Sequence, residues 1–347
     1  MPRLSVITPF HNTTEDLFQA CADSVLSQGM SDFEWIIIDD GSEEKYAEFL
    51  KDFCEKDSRI RFIRQEACGV SVARNRGLEE KTGDFFTFVD SDDIISPNFF
   101  EEALEVATRT QADIVYGILS DTASPLLPSD FSDIPERIYQ GQDKDLLLRS
   151  VVSGKDLVGG TDVSIFRPFA IAPRLYRSAT FSDLCFETSM TLGEDSLFNA
   201  CTIDAADTVV FSPQLWYTYI IHDASSVYSY LSHDHALAML SSFNRYGEVA
   251  KEKSWNDSDI GMRFLHSFLH ILNLYIIQAS TFHTYRLIKE ITCFPVAQAV
   301  SAINLSSYRI DGHAHKMALQ SSIIALRHNC SFPIAFLTKI RRIVKNR

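Results

Sequence analysis

Residues 69–93 read GVSVARNRGLEEKTGDFFTFVDSDD, and this stretch decides the predicted fold class. Its first part, 70–78, has the apolar spacing of a helix, which ends at the KTG of 81–83. Its second part, 85–89, is mostly apolar and is predicted to be a strand. That strand leads directly into the acidic DSDD of 90–93. A helix followed by a buried strand is the repeating unit of an α/β sheet.

The same alternation continues on both sides of this stretch. Ser42 is expected to cap one of the flanking helices, and Pro97 to occupy the first turn of another. The pattern predicts an α/β fold with a doubly wound, mostly parallel sheet. Strands are predicted at 4–8, 35–38, 60–63 and 114–118, and helices at Glu15–Leu26, 45–53 and 97–108.

The second part of the chain has a different pattern. Residues 121–135 are rich in Ser, Pro and Asp and are predicted to form a loop. From about residue 231 onward, helical spacing replaces the strand pattern, so we expect a first domain over 1–230 and a helical C-terminal region over 231–347. The helices of that region are predicted at 237–249, 260–279, 285–291, 317–326 and 334–344.

Composition and charge exclude several classes of protein. The chain has 32 Lys and Arg against 46 Asp and Glu, a formal net charge of −14, which disfavours binding to nucleic acid. Its seven cysteines lie in no CxxC spacing, so neither a disulfide framework nor a structural zinc site is expected. The N-terminus does not have the pattern of a signal peptide, and no apolar run is long enough to span a bilayer. These features predict a cytoplasmic protein.

Polar clusters follow three of the predicted strands, at 9–12, 39–42 and 90–93. Ligands of open α/β sheets bind at the carboxyl ends of the strands, so the three clusters predict one site. The three carboxylates of 90–93 repel one another unless a cation or hydrogen-bond donors lie near, and Mg²⁺ or Mn²⁺ is such a cation. The alternative is a solvated loop in which Asp93 or Ser96 caps the following helix.

Three segments resemble family 2 glycosyltransferases, which use nucleotide sugars and have the GT-A fold. They are SVITPFHN at 5–12, SVLSQGMSDFEWIIIDDGS at 24–42 and the stretch at 69–93. The similarity is close over 3–118 and looser over 172–226. It implies an inverting transfer of a sugar from a nucleotide diphosphate, usually UDP, to a hydroxyl group. The setting that it implies is bacterial surface polysaccharide assembly, where the acceptor is a saccharide or a lipid-linked saccharide.

The resemblance also implies roles for individual residues. It gives Asp40 a hydrogen bond to the base, usually uracil, and gives Asp90 a place beside the ribose. Asp92 matches the principal ligand of Mn²⁺ or Mg²⁺. Asn75 and Arg76 either contact the nucleotide or belong to a buried polar helix face. The implied nucleotide-sugar site consists of Pro9, His11, Asp40, Arg74, Asp90 and Ser91, and the implied metal ligands are Asp92, Asp90 and His222.

Two departures from the family pattern affect the nucleotide site. His11 stands where the family commonly has Tyr, which alters the expected contact with the nucleoside. Ala67-Cys68 replaces the usual Asn-Gly before the helix at 70–78. Since Ala67 carries no side-chain amide, one contact with the nucleotide is expected to be absent.

Two further segments carry candidate residues. GEDSLF at 193–198 resembles the acceptor-side motif, in which Asp195 matches the base and Glu194 is the neighbouring alternative. The other interpretation is that both acids belong to the first turn of a helix over 196–202. In the loop at 217–226, His222 either completes the metal shell or is a surface histidine.

The last residues, 335–347, read AFLTKIRRIVKNR and hold five basic residues and no acid. This pattern predicts a basic amphipathic helix that either contacts an anionic membrane surface or packs on its own core. It would place the protein at the inner face of the cytoplasmic membrane. Two other functions remain open, a sugar nucleotidyltransferase and a non-catalytic protein that binds nucleotide sugars. The intact Asp90, Asp92 and Asp195 argue against the second.

Overall fold

The computed structural model describes residues 2–157, 167, 170–222, 232–276, 287, 289–291, 293, 295–310, 320 and 322–323. The chain divides into two compact units. The first consists of Met1–Asp145, Ile165–Thr188 and Phe198–Ala224, and the second of Leu146–Ser164, Ser189–Leu197 and Ser225–Arg347. The division therefore assigns two short internal segments to the second unit. The boundary near residue 230 stays a prediction.

Nine strands in the described part of the first unit form one sheet, in the order β3-β2-β1-β4-β8-β6-β9-β5, and β7 also pairs with β9. The pairs β1–β2, β2–β3, β1–β4 and β6–β9 are parallel, while β8 is antiparallel to both of its neighbours. The sheet is thus mixed, and the predicted parallel arrangement is concentrated in β3-β2-β1-β4. The strands are β1 Leu4–Phe10, β2 Phe33–Asp40, β3 Ile60–Gln65, β4 Phe85–Phe88, β5 Ile94–Ile95, β6 Ile114–Asp121, β7 Arg137–Tyr139, β8 Arg174–Arg177 and β9 Val209–Tyr219.

The parallel strands β1, β2 and β4 are fully buried, whereas β3 is only partly buried. Full burial is expected for strands without a solvent face. An aromatic cluster covers one side, where the Phe18 ring stacks on Trp35 and meets Phe53 edge-on. The helices that begin in the first unit are α1 Glu15–Leu26, α2 Glu44–Cys54, α3 Val70–Glu80, α4 Phe99–Thr110 and α5 Gly141–Ser153.

The starts of two helices correct the sequence prediction. Glu43, not Ser42, precedes α2, and the Ser42 hydroxyl instead accepts a hydrogen bond from the Asn12 backbone N–H at 2.9 Å. The predicted helix at 97–108 begins at Phe99, after Asn98, so Pro97 lies outside it. The reason is that β5 pairs with β9 and the Ser96 N–H donates to the Trp216 carbonyl, which keeps the chain extended. Neither Asp93 nor Ser96 caps α4.

The described part of the C-terminal region is helical, as predicted. It contains α7 His233–Glu252, α8 Asp257–Ile276 and a 3₁₀ helix at Pro295–Ala302. The buried Asp259 carboxylate accepts hydrogen bonds from Arg149 Nε at 2.8 Å and from the Tyr308 hydroxyl at 2.6 Å. Gly261 allows α8 to approach the 3₁₀ helix, because a Cβ there would overlap the Ala299 carbonyl. A helix α6, Glu194–Ala205, lies across the division between the units.

Some predictions of the C-terminal region cannot be compared with the structure. Most of the helix predicted at 317–326, the whole of the one at 334–344 and the basic segment 335–347 lie outside the described residues. Within the described residues, no helix is both long enough and apolar enough to cross a membrane.

Candidate functional site

The candidate site lies at the carboxyl edge of the parallel strands in the first unit. In the sheet register, Phe10 pairs with Asp39 and Ile7 pairs with Phe88, so the turns that follow β1, β2 and β4 are neighbours. The sheet therefore brings together the three polar clusters that the sequence analysis selected. Pro9 is buried within β1, opposite Ile38.

The last two residues of β2 and the two that follow, Asp39–Ser42, form the β2 turn. The Asp40 carboxylate accepts three hydrogen bonds, from the Gln65 side-chain amide at 2.8 Å, the Cys68 N–H at 2.9 Å and the Gly69 N–H at 2.7 Å. The residue is only 6% exposed. Asp40 thus fixes the loop before α3, a role that the sequence analysis did not foresee. Its predicted contact with a base stays a prediction.

Asp39 and Gly41 of the β2 turn are also closely packed. The buried Asp39 accepts a hydrogen bond from the Ser42 N–H at 3.0 Å and forms an ion pair with Arg64, with Nε to Oδ2 at 3.3 Å. Gly41 has a positive φ of 69°, and a Cβ there would lie 2.5 Å from the Ala67 nitrogen. Only glycine fits this position, so the loops that follow β2 and β3 can touch.

His11 lies on the surface of the same edge, and both nitrogens of its ring are engaged. Nδ1 lies 2.7 Å from the Asp40 carbonyl oxygen, which can only accept, so Nδ1 carries the proton and donates. Nε2 lies 3.1 Å from the Asn12 side-chain nitrogen and accepts from it. Asn12 in turn accepts a hydrogen bond from the Glu43 N–H at 2.8 Å. The face of the imidazole, rather than its edge, is what His11 can offer to a ligand.

The turn after β4, Asp90–Asp93, is called the acidic turn. The Asp90 carboxylate, 33% exposed, forms an ion pair with Arg74 of α3, with Nη2 to Oδ1 at 3.0 Å. The Arg74 guanidinium is buried and lies over the Phe186 ring, 5.3 Å from its centroid. The structure therefore joins two residues that the family resemblance selected separately, and adds an aromatic support that the sequence analysis missed.

Asp92 faces His222, which lies three residues after the end of β9. The Asp92 Oδ2 and His222 Nε2 atoms are 2.9 Å apart, and the two side chains are 31% and 25% exposed. The pair joins positions 130 residues apart in the chain. His222 is thus part of the acidic-turn cluster rather than an isolated surface histidine.

Ser91 and Asp93 point into the protein. The Ser91 hydroxyl lies 2.5 Å from the Thr13 hydroxyl, so it links the acidic turn to the loop after β1. Asp93 is 1% exposed and accepts hydrogen bonds from the Tyr217 hydroxyl at 2.7 Å and the Ile220 N–H at 2.8 Å. Burial raises the pKa of Asp93 to about 8; the charges of Asp90 and Asp92 add to this rise, and the two hydrogen bonds oppose it.

Divalent metal ions are compatible with the donors of this cluster. A carboxylate and an imidazole meet at Asp92 and His222, and Asp90 adds a second partly exposed carboxylate in the same turn. No group of three or more His, Cys, Asp or Glu close enough to hold a metal occurs among the described residues. The predicted ligand set of Asp92, Asp90 and His222 is therefore not assembled, because Asp90 is held by Arg74 while Asp92 meets His222. Mg²⁺ or Mn²⁺ ordinarily completes its shell with phosphates and water.

Asn75 and Arg76 have structural partners. Asn75 donates to the Phe186 carbonyl at 2.9 Å and accepts from the Phe186 N–H at 2.7 Å, so it belongs to a polar helix face. Arg76 forms an ion pair with Glu80 of its own helix, with Nη2 to Oε1 at 2.6 Å. Only the i,i+4 spacing of Arg76 and Glu80 was visible in the sequence.

The predicted base residues lie in a different part of the chain. Glu194 and Asp195 occupy the first turn of α6, in the segment assigned to the second unit. The helix is longer than the predicted 196–202. Its first turn agrees with the alternative interpretation of these acids as first-turn residues, and it does not decide their chemical role.

Sequence comparison identifies the N-terminal part of the chain. Residues 5–127 match the family model described as Glycosyl transferase family 2, and this part of the chain is a family 2 glycosyltransferase domain. Glycosyltransferase GlyA of Streptococcus pneumoniae is 29% identical over 223 residues, which cover 64% of this chain and 31% of that protein. The chain spans about a third of the length of this and other curated relatives that it matches.

Comparison with solved structures extends the fold to nearly the whole chain. Residues 1–349 of S. aureus TarS, solved with UDP-GlcNAc, have a TM-score of 0.68 at 15% identity and cover 99% of this chain and 92% of their own. Mannosyltransferase PcManGT of Pyrobaculum calidifontis, solved with GDP-Man and Mn²⁺, has a TM-score of 0.51 at 13% identity, with 95% and 87% covered. The predicted GT-A-like α/β fold followed by a helical C-terminal region is confirmed.

Proposed function

We propose that this protein is an inverting glycosyltransferase that moves a sugar from a nucleotide diphosphate sugar, UDP-linked, to a hydroxyl group. The observation that carries the proposal is the acidic turn. Two carboxylates of one four-residue turn face different basic partners, Asp90 facing Arg74 and Asp92 facing His222. These carboxylates lie at the carboxyl edge of the sheet, within the residues 5–127 that match the family 2 glycosyltransferase model.

The β2 turn would receive the nucleoside. Asp40 holds the backbone of Cys68 and Gly69, so the loop is rigid before a ligand arrives. His11 offers its ring face, because its two nitrogens are already engaged. Stacking on an aromatic face suits a planar base. In this proposal Asp40 meets the base through its remaining lone pairs, and Pro9 lines the floor of the loop.

Arg74 and the acidic turn would receive the ribose and the diphosphate. The Arg74 guanidinium forms an ion pair with Asp90 and lies over the Phe186 ring, so these two contacts hold it in one orientation. Asp92 and His222, which already face each other, would be two ligands of Mn²⁺ or Mg²⁺, and Asp90 would join them on release from Arg74. Ser91 keeps the turn attached to Thr13. When bound, the metal supplies a positive charge that stabilises the leaving diphosphate.

Asp195 is proposed as the base that takes the proton from the acceptor hydroxyl, with Glu194 as the neighbouring alternative. A carboxylate positioned beside the attacking oxygen suits this role, since general-base assistance acts in the transition state. UDP-GlcNAc in the TarS structure and GDP-Man with Mn²⁺ in PcManGT support a nucleotide-sugar donor and a divalent metal for chains of this fold.

We also propose a setting, bacterial surface polysaccharide assembly with a saccharide or lipid-linked saccharide acceptor. The basic segment 335–347 would then hold the enzyme at an anionic membrane surface. Co-sedimentation of the full chain and of a chain ending at residue 334 with anionic and neutral vesicles, at low and high salt, tests this part. Equal binding by both chains would contradict it.

The donor class is tested by a thermal-shift screen of UDP-, GDP- and CDP-sugars with Mn²⁺ or with chelator, followed by a nucleotide-release assay. Stabilisation by UDP-sugars and release of UDP in the presence of an acceptor are expected. Release of pyrophosphate from a nucleoside triphosphate and a sugar phosphate would indicate a nucleotidyltransferase instead. Binding without any turnover would indicate a non-catalytic binding protein.

The base is tested by Asp195→Asn and Glu194→Gln in parallel. Asp195→Asn is expected to reduce turnover by about 10²–10⁴-fold and to leave UDP affinity unchanged. The Glu194→Gln variant is the matched control, because it alters the adjacent acid of the same helical turn. Loss of activity in the control alone would move the role of base to Glu194.

A further inference from the structure

A buried carboxylate lies beneath the candidate site and takes no part in the proposed chemistry. Asp93 is the last residue of the acidic turn and is 1% exposed. Both of its oxygens face donors from the protein, the Tyr217 hydroxyl on Oδ2 and the Ile220 N–H on Oδ1. It therefore has no oxygen turned toward a ligand, although it is adjacent to Asp92.

The partners of Asp93 come from one segment, the end of β9. Tyr217 belongs to β9 and Ile220 follows directly after it. Tyr217 is itself buried, and its hydroxyl oxygen also accepts a hydrogen bond from the Asp90 N–H at 3.1 Å. The first and the last residue of the acidic turn are thus tied to the same tyrosine.

These contacts complete a closed loop of bonded and hydrogen-bonded residues that includes Asp92 and His222. Asp92 precedes Asp93 in the chain, Asp93 binds Ile220, and His222 follows Ile220 by two residues. The ring closes where His222 Nε2 meets Asp92 Oδ2 at 2.9 Å. A shift of the end of β9 relative to the acidic turn would therefore change the distance between Asp92 and His222.

We infer that Asp93 is a positioning residue, which clamps the end of β9 to the acidic turn so that Asp92 and His222 converge on one divalent cation. The inference rests on the proposed function, because it concerns the metal ligands that the proposal names. Asp93 acts through Asp92 and His222 and touches neither the cation nor the donor.

The first variant is Asp93→Ala, which removes both acceptors, and the second is Tyr217→Phe, which removes only the hydroxyl. The matched control is Asp113→Ala. Like Asp93, Asp113 accepts from a hydroxyl, that of Thr180 at 2.7 Å, and from backbone amides, Asp207 N–H at 2.9 Å and Thr208 N–H at 3.0 Å. It lies directly before β6, at the opposite edge of the sheet. Circular dichroism and thermal melting then measure the purely structural cost of each change.

Two binding measurements separate positioning from packing. Calorimetry gives the UDP affinity with Mn²⁺ and with chelator, and the ratio of the two is the gain due to metal. Electron paramagnetic resonance gives the affinity for Mn²⁺ alone. In Asp93→Ala the gain and the Mn²⁺ affinity are expected to fall by about tenfold or more, as for residues that orient metal ligands. Tyr217→Phe is expected to lower both by less, and Asp113→Ala to lower only the melting temperature.

Each outcome is decisive. If Asp93→Ala and Tyr217→Phe lower the melting temperature as Asp113→Ala does but keep the metal gain, Asp93 is only a structural residue and the inference is wrong. The inference is also wrong if the wild type binds UDP equally with Mn²⁺ and with chelator. Wild-type protein that binds no nucleotide, but binds Mn²⁺ in a manner that depends on Asp93, would support the inference and defeat the proposed function. If Asp93→Ala does not fold, Tyr217→Phe provides the result.

Discussion

The β2 turn and the acidic turn have the same local sequence pattern and opposite surroundings. Each lies at the carboxyl end of a buried strand of the parallel part of the sheet and contains adjacent aspartates. In the β2 turn, Asp40 accepts three hydrogen bonds from the protein and is 6% exposed. In the acidic turn, Asp90 and Asp92 are about one-third exposed and each faces one basic side chain.

The difference shows how a carboxylate acquires its role. A carboxylate surrounded by backbone N–H groups fixes a loop, because moving the loop away would leave several buried donors without acceptors. A carboxylate that faces solvent and one basic side chain retains lone pairs for a cation or a substrate. Both kinds occur even within the acidic turn, since Asp93 is buried and held on both oxygens. Four substitutions test this contrast.

The largest effect is expected from Asp92→Asn. The carboxamide cannot supply a negative ligand, so turnover should fall about 10³-fold, the scale of losing a main electrostatic contact in the transition state. The melting temperature should stay unchanged, because Asp92 is partly exposed and holds no backbone group in the described structure. Steady-state kinetics and UDP calorimetry with Mn²⁺ or chelator measure both.

Asp207→Asn, at an exposed acid distant in sequence from both turns, is the control for loss of one negative charge. A metal-dependent gain in UDP affinity that survives in Asp92→Asn would contradict the assignment of the acidic turn as the cation site.

Asp40→Ala should reduce the stability of the protein, in contrast to Asp92→Asn, which should leave the melting temperature unchanged. Loss of the acceptor for Gln65, Cys68 and Gly69 is expected to lower the free energy of unfolding by about 2 kcal/mol. Asp92→Ala, the matched change in the other turn, should lower it by less than about 0.5 kcal/mol. Urea unfolding of the two variants beside the wild type decides the contrast. Equal losses of stability would show that the two turns do not differ in this respect.

Glu34 lies at the opposite end of β2 from Asp40 and is also a carboxylate held by hydrogen bonds. Its contribution to the stability of the protein should depend on pH. Burial raises the pKa of Glu34, but hydrogen bonds from Thr82, Ser5 and Arg61 outweigh it and hold the pKa below its ordinary value of 4.5. A depressed pKa contributes stability above about pH 4.5, and this contribution is lost as the pH falls through the pKa of the folded state.

Glu34→Gln should therefore be less stable than the wild type by about 1.5 kcal/mol at pH 7. The difference should shrink as the pH falls toward 3, because the wild-type carboxylate becomes protonated. Urea unfolding across this pH range measures it. A difference that is independent of pH would indicate that packing, and not the charge of Glu34, is responsible.

The smallest effect is expected from Ala67→Asn, in the loop that Asp40 fixes. The change restores the side-chain amide that the family usually has, and one added hydrogen bond of about 1 kcal/mol corresponds to about fivefold tighter UDP binding. Ala67→Leu is the control of similar size without polar atoms. Calorimetry with UDP measures the gain, and equal affinities in the two variants would exclude an amide contact at this position.

The sequence by itself determined the fold class and the edge of the sheet on which the candidate site lies. Mostly apolar runs at 4–8 and 85–89 predicted strands, and the continuous apolar run at 35–38 predicted a strand covered on both faces, as in a parallel sheet. The helix Glu15–Leu26 was predicted with its observed bounds. The family resemblance selected Asp90, Arg74, Asp92 and His222, which the structure brings into contact in pairs.

Only the tertiary structure decided what each carboxylate does. Nothing in the local pattern distinguishes Asp40, which accepts three hydrogen bonds from residues 25 to 29 positions away, from Asp92, whose partner lies 130 residues away. The same holds for Asp93, for which a helix cap was one of two interpretations and which instead binds Tyr217 and Ile220. Hydrogen-bond partners that are distant in the chain leave no periodic signal, because their positions depend on how the strands pair. The antiparallel insertion of β8 between β4 and β6 is of the same kind, since strand order is set by packing of the whole sheet.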